Sequence, residues 1–419
     1  MLTRRAFLTR SALIGCSAAA SPLLTPVSFA AAPWDTRLVV IILRGGMDGI
    51  DVVQPYGDPQ YPGLRATLAG GPKAGALDLD GFYALHPKLA PLMPLWRAGD
   101  LGFVHAVSTP YRHKRSHFDG QDLLEAGTTS LGAQRDGWLN RMLQTVPGVE
   151  RTTAFALGSG DLKVLQGAAP VADWSPEAEL QMSPQAMRLT GLLMQEDPLF
   201  RDALDEALVL SGADPEQMQA LANADLFQDN QMMEAPMMDG DAAMQMSVPR
   251  NIGRNGHVKI AEFAAQQLRD ASRVASFSLT GWDSHNRQIN TLGKALERLS
   301  ECILALQTGL GQAIWGKTAI LAMTEFGRTV RENGTQGTDH GTGGVMLMAG
   351  GAIRGGQVHG IWPGLAEADL FERRDLMPTG DVRAAAGWVM RGLTGLDRAV
   401  IEQTVFPGLD LGQNPGLIL

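Results

Sequence analysis

The chain has 419 residues, 45% of them hydrophobic and 19% charged, enough to bury a substantial core as one large domain or two. Its formal net charge of −9 argues against a general nucleic-acid binder, which needs an extended basic surface.

Residues 1–32 read as an export leader. Thr3, Arg4, Arg5, Phe7 and Leu8 form a twin-arginine pattern ahead of a mildly apolar stretch rich in Ala, Leu and Ser, with small-residue cleavage sites around Ala30 and Ala31. Arg10, Pro22 and Pro26 interrupt that stretch, which makes it a poor transmembrane helix. The pattern implies the twin-arginine translocation machinery as a partner. It also implies a periplasmic or secreted protein with no stable transmembrane segment in the mature chain. A disordered basic N-terminus is the alternative reading. Residues 13–16 also fit a lipoprotein cleavage motif that would lipidate Cys16, although the short spacing from Arg10 argues against it. Cleavage after Ala30 leaves only Cys302, so no internal disulfide is expected.

From residue 33 onward the pattern is that of a single α/β domain. The continuous apolar run 37–43 predicts a strand buried on both faces, followed at once by a Gly45-Gly46 turn with Asp48 and Asp51 behind it. Short strand and loop pieces are expected at 77–79 and 82–87, a helical stretch at 88–98 and a buried strand at 101–107. Residues 111–121 then cluster Arg112, His113, Arg115, Ser116, His117 and Asp119. Ser116 is placed to cap the helix that follows, at an end that favours an anion. A helix is expected from Trp138, with short strands at 154–157 and 164–165. Residues 175–250 break the rhythm. They are polar, helical in pattern and Met-rich, and read as a helical cap or insertion. Soft packing explains the methionines better than copper binding through thioethers, the other reading.

The α/β rhythm resumes with a helix at 260–268 and a strand at 274–279, which leads directly into Asp283 and His285. A long helix follows, with Ile289, Leu292, Leu296, Leu299, Ile303 and Leu306 at three- and four-residue spacing. Strands at 319–323 and 345–349 bracket a Gly-rich loop that carries Glu325, Arg328, Asp339 and His340. A final amphipathic helix is expected at 381–393. The fold class is therefore α/β, with a mostly parallel central sheet and helices on both faces.

Asp48, Ser116, Asp283, His285, Glu325 and His340 all follow predicted strands or open a helix. Parallel strands deliver such ends to one sheet edge. Asp48, Asp283, His285, Glu325 and His340 supply oxygen and imidazole ligands suited to a divalent metal such as zinc, magnesium, calcium or manganese. Ser116 is the expected nucleophile. Asp51, His117 and Asp339 are expected behind the ligands as orienting groups.

The segments LRGGMDGIDVV, PYGDPQY, RSHFDGQD, GWLNRML, GWDSH, TEFGRTVRENG and GTDHGTGGVMLMAGG occur in this order and resemble the exported family known as domain of unknown function 1501. That family in turn resembles the alkaline phosphatase and sulfatase superfamily. The resemblance implies an alkaline phosphatase-like fold, metal ligands at Asp283, His285 and His340, a first-strand aspartate at Asp48, and Ser116 as nucleophile. It departs where the superfamily has an Asp-His pair, because this chain has Glu325 and Phe326. A phenyl ring cannot replace the imidazole, and Arg328 is left to supply positive charge. The implied function is a metal-dependent hydrolase of small anionic phosphate or sulfate esters. The alternative is a non-catalytic exported protein that keeps the fold for binding or assembly.

Overall fold

The computed structural model describes residues 34–68, 70–112, 115–158, 162–176 and 255–419. The expected leader, residue His113 and all but the first two residues of the expected cap at 175–250 lie outside the described residues, so those readings find neither support nor contradiction here.

The described residues contain twelve strands: β1 (Arg37–Arg44), β2 (Val53–Gln54), β3 (Leu77–Asp78), β4 (Ala84–Leu85), β5 (Leu101–Ser108), β6 (Ala154–Leu157), β7 (Ala172–Trp174), β8 (Val274–Thr280), β9 (Thr318–Met323), β10 (Gly344–Ala349), β11 (Val358–His359) and β12 (Gly380–Asp381). Among the described residues they form a nine-stranded sheet in the order β11-β5-β10-β9-β1-β8-β6-β7, with β12 also on β5, and a small sheet in the order β2-β4-β3. Strand β1 lies at the centre, parallel to both β8 and β9. Only β10 opposes the common direction, antiparallel to both β5 and β9.

Alternation along β1 explains the two-sided core. Val39, Ile41 and Leu43 enter one apolar cluster, and Leu38, Val40 and Ile42 enter the other. Each such buried side chain contributes roughly 1.5–3 kcal/mol relative to exposure. The first face is covered by helices Gly256–Arg269 and Gln288–Trp315, the second by Trp138–Gln144 and Val382–Thr394. Helices thus flank both faces, as the sequence pattern implies.

Two local expectations are corrected. Residues Lys163–Leu165 form a turn of 3₁₀ helix rather than a strand. Ile289 is 59% exposed, whereas Leu292, Leu296, Leu299, Ile303 and Leu306 are fully buried. Ile289 sits in the first turn of its helix, outside the stripe that reaches the sheet.

Candidate metal centre

Loops leaving β1, β8 and β9 meet at one edge of the sheet, together with the start of the helix we label α1 (His117–Ala126). The β1 and β8 loops approach backbone to backbone. A Cβ on Gly45 would stand 2.5 Å from the Asp283 nitrogen, so only glycine fits there. The β9–β10 connection zips onto itself through Gly327 N to Thr342 O at 3.0 Å, Gly341 N to Gly327 O at 2.9 Å and Thr329 N to Asp339 O at 2.9 Å. Arg328 and His340 thereby become partners across a bridge. His340 precedes a strand, and it reaches the edge shared by the other site residues because β10 runs against its neighbours.

Three imidazoles converge on Asp283. His285 Nε2 lies 3.1 Å and His340 Nε2 3.4 Å from Asp283 Oδ1, and His117 Nε2 lies 3.5 Å from Asp283 Oδ2. His117, Asp283 and His340 each offer a ligand atom within 4.8 Å of the others. Every imidazole is held from behind at Nδ1: His117 by Glu325 Oε1 at 2.8 Å, His285 by Asp339 Oδ1 at 3.1 Å and His340 by the Arg115 carbonyl at 2.8 Å. Oxygens of these kinds accept, so each Nδ1 carries a proton and each Nε2 is the ring nitrogen left to face the centre. His117 Nε2 is buried without a hydrogen-bond partner.

The surrounding groups shift the site's ionisable side chains in opposite directions. Burial alone would raise the Asp283 carboxyl, but the hydrogen bond and charge of Arg328 outweigh it and leave it below its ordinary range. Burial likewise opposes ionisation of Glu325, and hydrogen bonds from His117, Thr324 and Gly45 reverse the sign. The Glu325 hydrogen bond raises His117, whereas burial lowers His340. Asp339 is lowered chiefly by the Asn333 amide. Arg328 is fully buried and donates to the carbonyls of Gly45, Gly46, Trp282 and Thr338 as well as to Asp283.

Asp283, His285 and His340 therefore stand together. His117, expected behind the ligands, points into the centre. Glu325, expected as a ligand, stands behind His117 and is fully buried. Asp339 occupies the orienting place behind His285. Asp48 is elsewhere engaged. It is fully buried, its oxygens receive Arg65 Nη1 at 2.7 Å and Nη2 at 3.1 Å, and Gln288 Nε2 reaches it at 2.7 Å. Asp51 accepts from Gln288 at 2.8 Å and Gln54 at 3.2 Å; burial, then the adjacent Asp48, push it up to about 6. Ser116 caps α1, its Oγ accepting from Asp119 N at 3.4 Å. The buried partnership of Arg65 with Asp48 is absent from the sequence reading. An arginine in an otherwise apolar helix turn, after Tyr61 and Leu64, was the available signal.

No curated protein matches the sequence. Among solved structures, the chain is similar to the lipoteichoic acid synthase LtaP of Listeria monocytogenes at 7% identity and a TM-score of 0.36, covering 90% of this chain and 77% of that one. It is similar to a TAB5 alkaline phosphatase variant with magnesium bound at 9% identity and a TM-score of 0.32, covering 76% and 91%. It is also similar to BT1596, a 2-O GAG sulfatase, at 11% identity and a TM-score of 0.28, covering 77% and 65%. Residues 105–404 match the family described as "Protein of unknown function (DUF1501)", and the chain belongs to that family.

Proposed function

We propose that this chain is an exported, metal-dependent hydrolase of small anionic esters of phosphate or sulfate. The observation that carries the reading is the convergence of three imidazole Nε2 atoms on the Asp283 carboxylate. Imidazole with one carboxylate suits zinc better than magnesium or calcium, which prefer oxygen alone. The residues that would hold the ion are His117, His285, His340 and Asp283. Carboxylate or carbonyl partners behind the imidazoles are what a metal site requires to fix tautomer and orientation.

A divalent ion bound here would supply Lewis acidity towards an ester oxygen and lower the pKa of a coordinated hydroxyl or water. Glu325 and Asp339 keep the Nδ1 protons of His117 and His285 in place. Arg328 keeps Asp283 ionised and adds fixed positive charge where an ester anion would bind. Ser116, directly before His117, supplies the nucleophilic hydroxyl in this reading. The twin-arginine pattern at Arg4 and Arg5 supports export.

The test is the metal content of protein purified from its exported form, with turnover of aryl phosphates and aryl sulfates followed against added zinc. Bound zinc with zinc-dependent turnover is the expected result, and loss of turnover in Ser116→Ala assigns the serine. Turnover retained in that variant transfers attack to water. Protein that carries no metal and turns over no ester overturns the proposal.

The non-catalytic reading is favoured by one observation. Asp48 is tied to Arg65 and the Ser116 hydroxyl to the α1 cap, so both are held in structural contacts. Metal bound without turnover of any ester supports it.

A further inference from the structure

Phe326 lies where the elements of the metal centre meet. Its ring stacks on His117 with centroids 5.2 Å apart and planes 25° apart, and lies against His340 at 5.1 Å and 46°. Tyr111 stacks on it in turn at 6.0 Å and 19°. The ring is 3% exposed and belongs, with Tyr111 and Leu123, to a small apolar cluster separate from the two sheet cores.

Two glycines make room for it. A Cβ on Gly46 would stand 2.8 Å from the Phe326 Cε2, and a Cβ on Gly120 would stand 3.0 Å from both Cδ1 and Cε1. Gly120 falls inside helix α1, where glycine is a poor choice on propensity alone. Space for the phenyl ring accounts for it.

A hydrogen bond at Nδ1 fixes the tautomer of an imidazole and one point on its rim. It leaves the ring free to tilt about that point, and a tilt moves Nε2 at the far side. A flat surface against the face removes this freedom. His117 has both restraints from consecutive residues, Glu325 at its Nδ1 and Phe326 on its face. His340 has the Arg115 carbonyl at Nδ1 and the same phenyl ring alongside.

We propose that Phe326 is a positioning residue for the metal centre, setting the ring planes of His117 and His340 so that both Nε2 atoms point at Asp283. This rests on the metal reading above. Phe326 touches neither ion nor substrate in this role; it acts through the two imidazoles.

The test uses the full chain purified from its exported form, titrated with zinc in competition with a chromophoric chelator and with cobalt alone while its visible absorption is recorded. The unaltered protein, Phe326→Leu and Gly120→Ala are compared. The unaltered protein is expected to bind both ions. Both variants are expected to bind about tenfold to a hundredfold more weakly, as for loss of groups that orient metal ligands, and to show altered cobalt bands. Gly120→Ala guards against a trivial outcome, because alanine favours the helix while its methyl displaces the ring. Weaker binding by that variant, with its metal-free melting temperature unlowered, separates positioning from unfolding. Affinities within about twofold of the unaltered protein and unchanged cobalt bands in both variants overturn the role of Phe326 and leave the metal reading standing. If the unaltered protein binds neither ion, both fall together.

Discussion

His285 and His340 face each other through their Nε2 atoms at 2.9 Å. Each is held at Nδ1 by an oxygen acceptor, so the two Nε2 atoms need either a shared proton or a cation between them. Asp283 and the orphaned His117 Nε2 add to the demand for positive charge. Arg328 answers it in part, and a divalent ion would complete it.

Metal should therefore stabilise the fold. At free zinc a hundredfold above the dissociation constant, linkage adds about 2.7 kcal/mol to unfolding stability. A chelator is expected to lower the melting temperature, and His340→Ala to abolish that sensitivity. Scanning calorimetry with and without chelator on both proteins checks this. Equal shifts in the two would remove His340 from the site.

Asp48 and Arg65 make a fully buried pair with bidentate contacts. Removing one partner leaves an uncompensated buried charge. Arg65→Met is expected to cost about 3–5 kcal/mol, and the double variant Arg65→Met, Asp48→Asn to recover much of the loss. Metal content should be unchanged in that double variant if Asp48 is structural. Loss of metal from an otherwise folded double variant would return Asp48 to the ligand set. Denaturant titration and metal analysis read the two effects separately.

His105 gives an acid-side prediction. It is buried on β5, where Nε2 donates to the Val53 carbonyl at 3.1 Å and Nδ1 accepts from Ala106 N at 2.9 Å. A second proton would face a donor, and burial holds its pKa down to about 4. The folded pKa lies below the unfolded one, so the unfolded chain binds more protons between the two. Stability from this group is complete above about pH 6.5 and falls as pH drops towards 4, by on the order of 3 kcal/mol. His105→Gln should flatten this part of the stability–pH curve, measured by urea unfolding from pH 4 to 7. An unaltered slope would assign the acid sensitivity to other groups.

Export is tested by replacing Arg4 and Arg5 with lysine, which should abolish periplasmic accumulation. Incorporation of labelled fatty acid would instead assign Cys16 as a lipid anchor.

Much of the architecture was legible because burial dictates alternation and spacing. The runs at 37–43, 101–107, 274–279 and 319–323 each fall within strands of the main sheet. Asp283, His285 and His340 were legible as groups at strand ends that share an edge. The reversed direction of β10 was not, because an apolar run reads the same either way. The exchange of places between His117 and Glu325 was hidden for a similar reason. Sequence shows that an imidazole and a carboxylate lie near a site, and packing decides which faces inward. Here the Glu325 carboxylate is met by Gly45 N, Thr324 and Gln121, which hold it back against the sheet. Asp48 was drawn away by an arginine whose approach depends on a tertiary turn.

The central place of β1 bears on how the chain assembles. Its partners lie far away in sequence, with Leu38 beside Val274 and Arg37 beside Thr318. Loop closure over such distances is slow, and contacts of this range cannot form until both ends exist. On a ribosome this central strand is thus made before its neighbours and finds them late. An apolar segment of high β-propensity must wait, unpaired, for most of the chain to be synthesised, so the nascent protein is a natural client for chaperones that shield such segments.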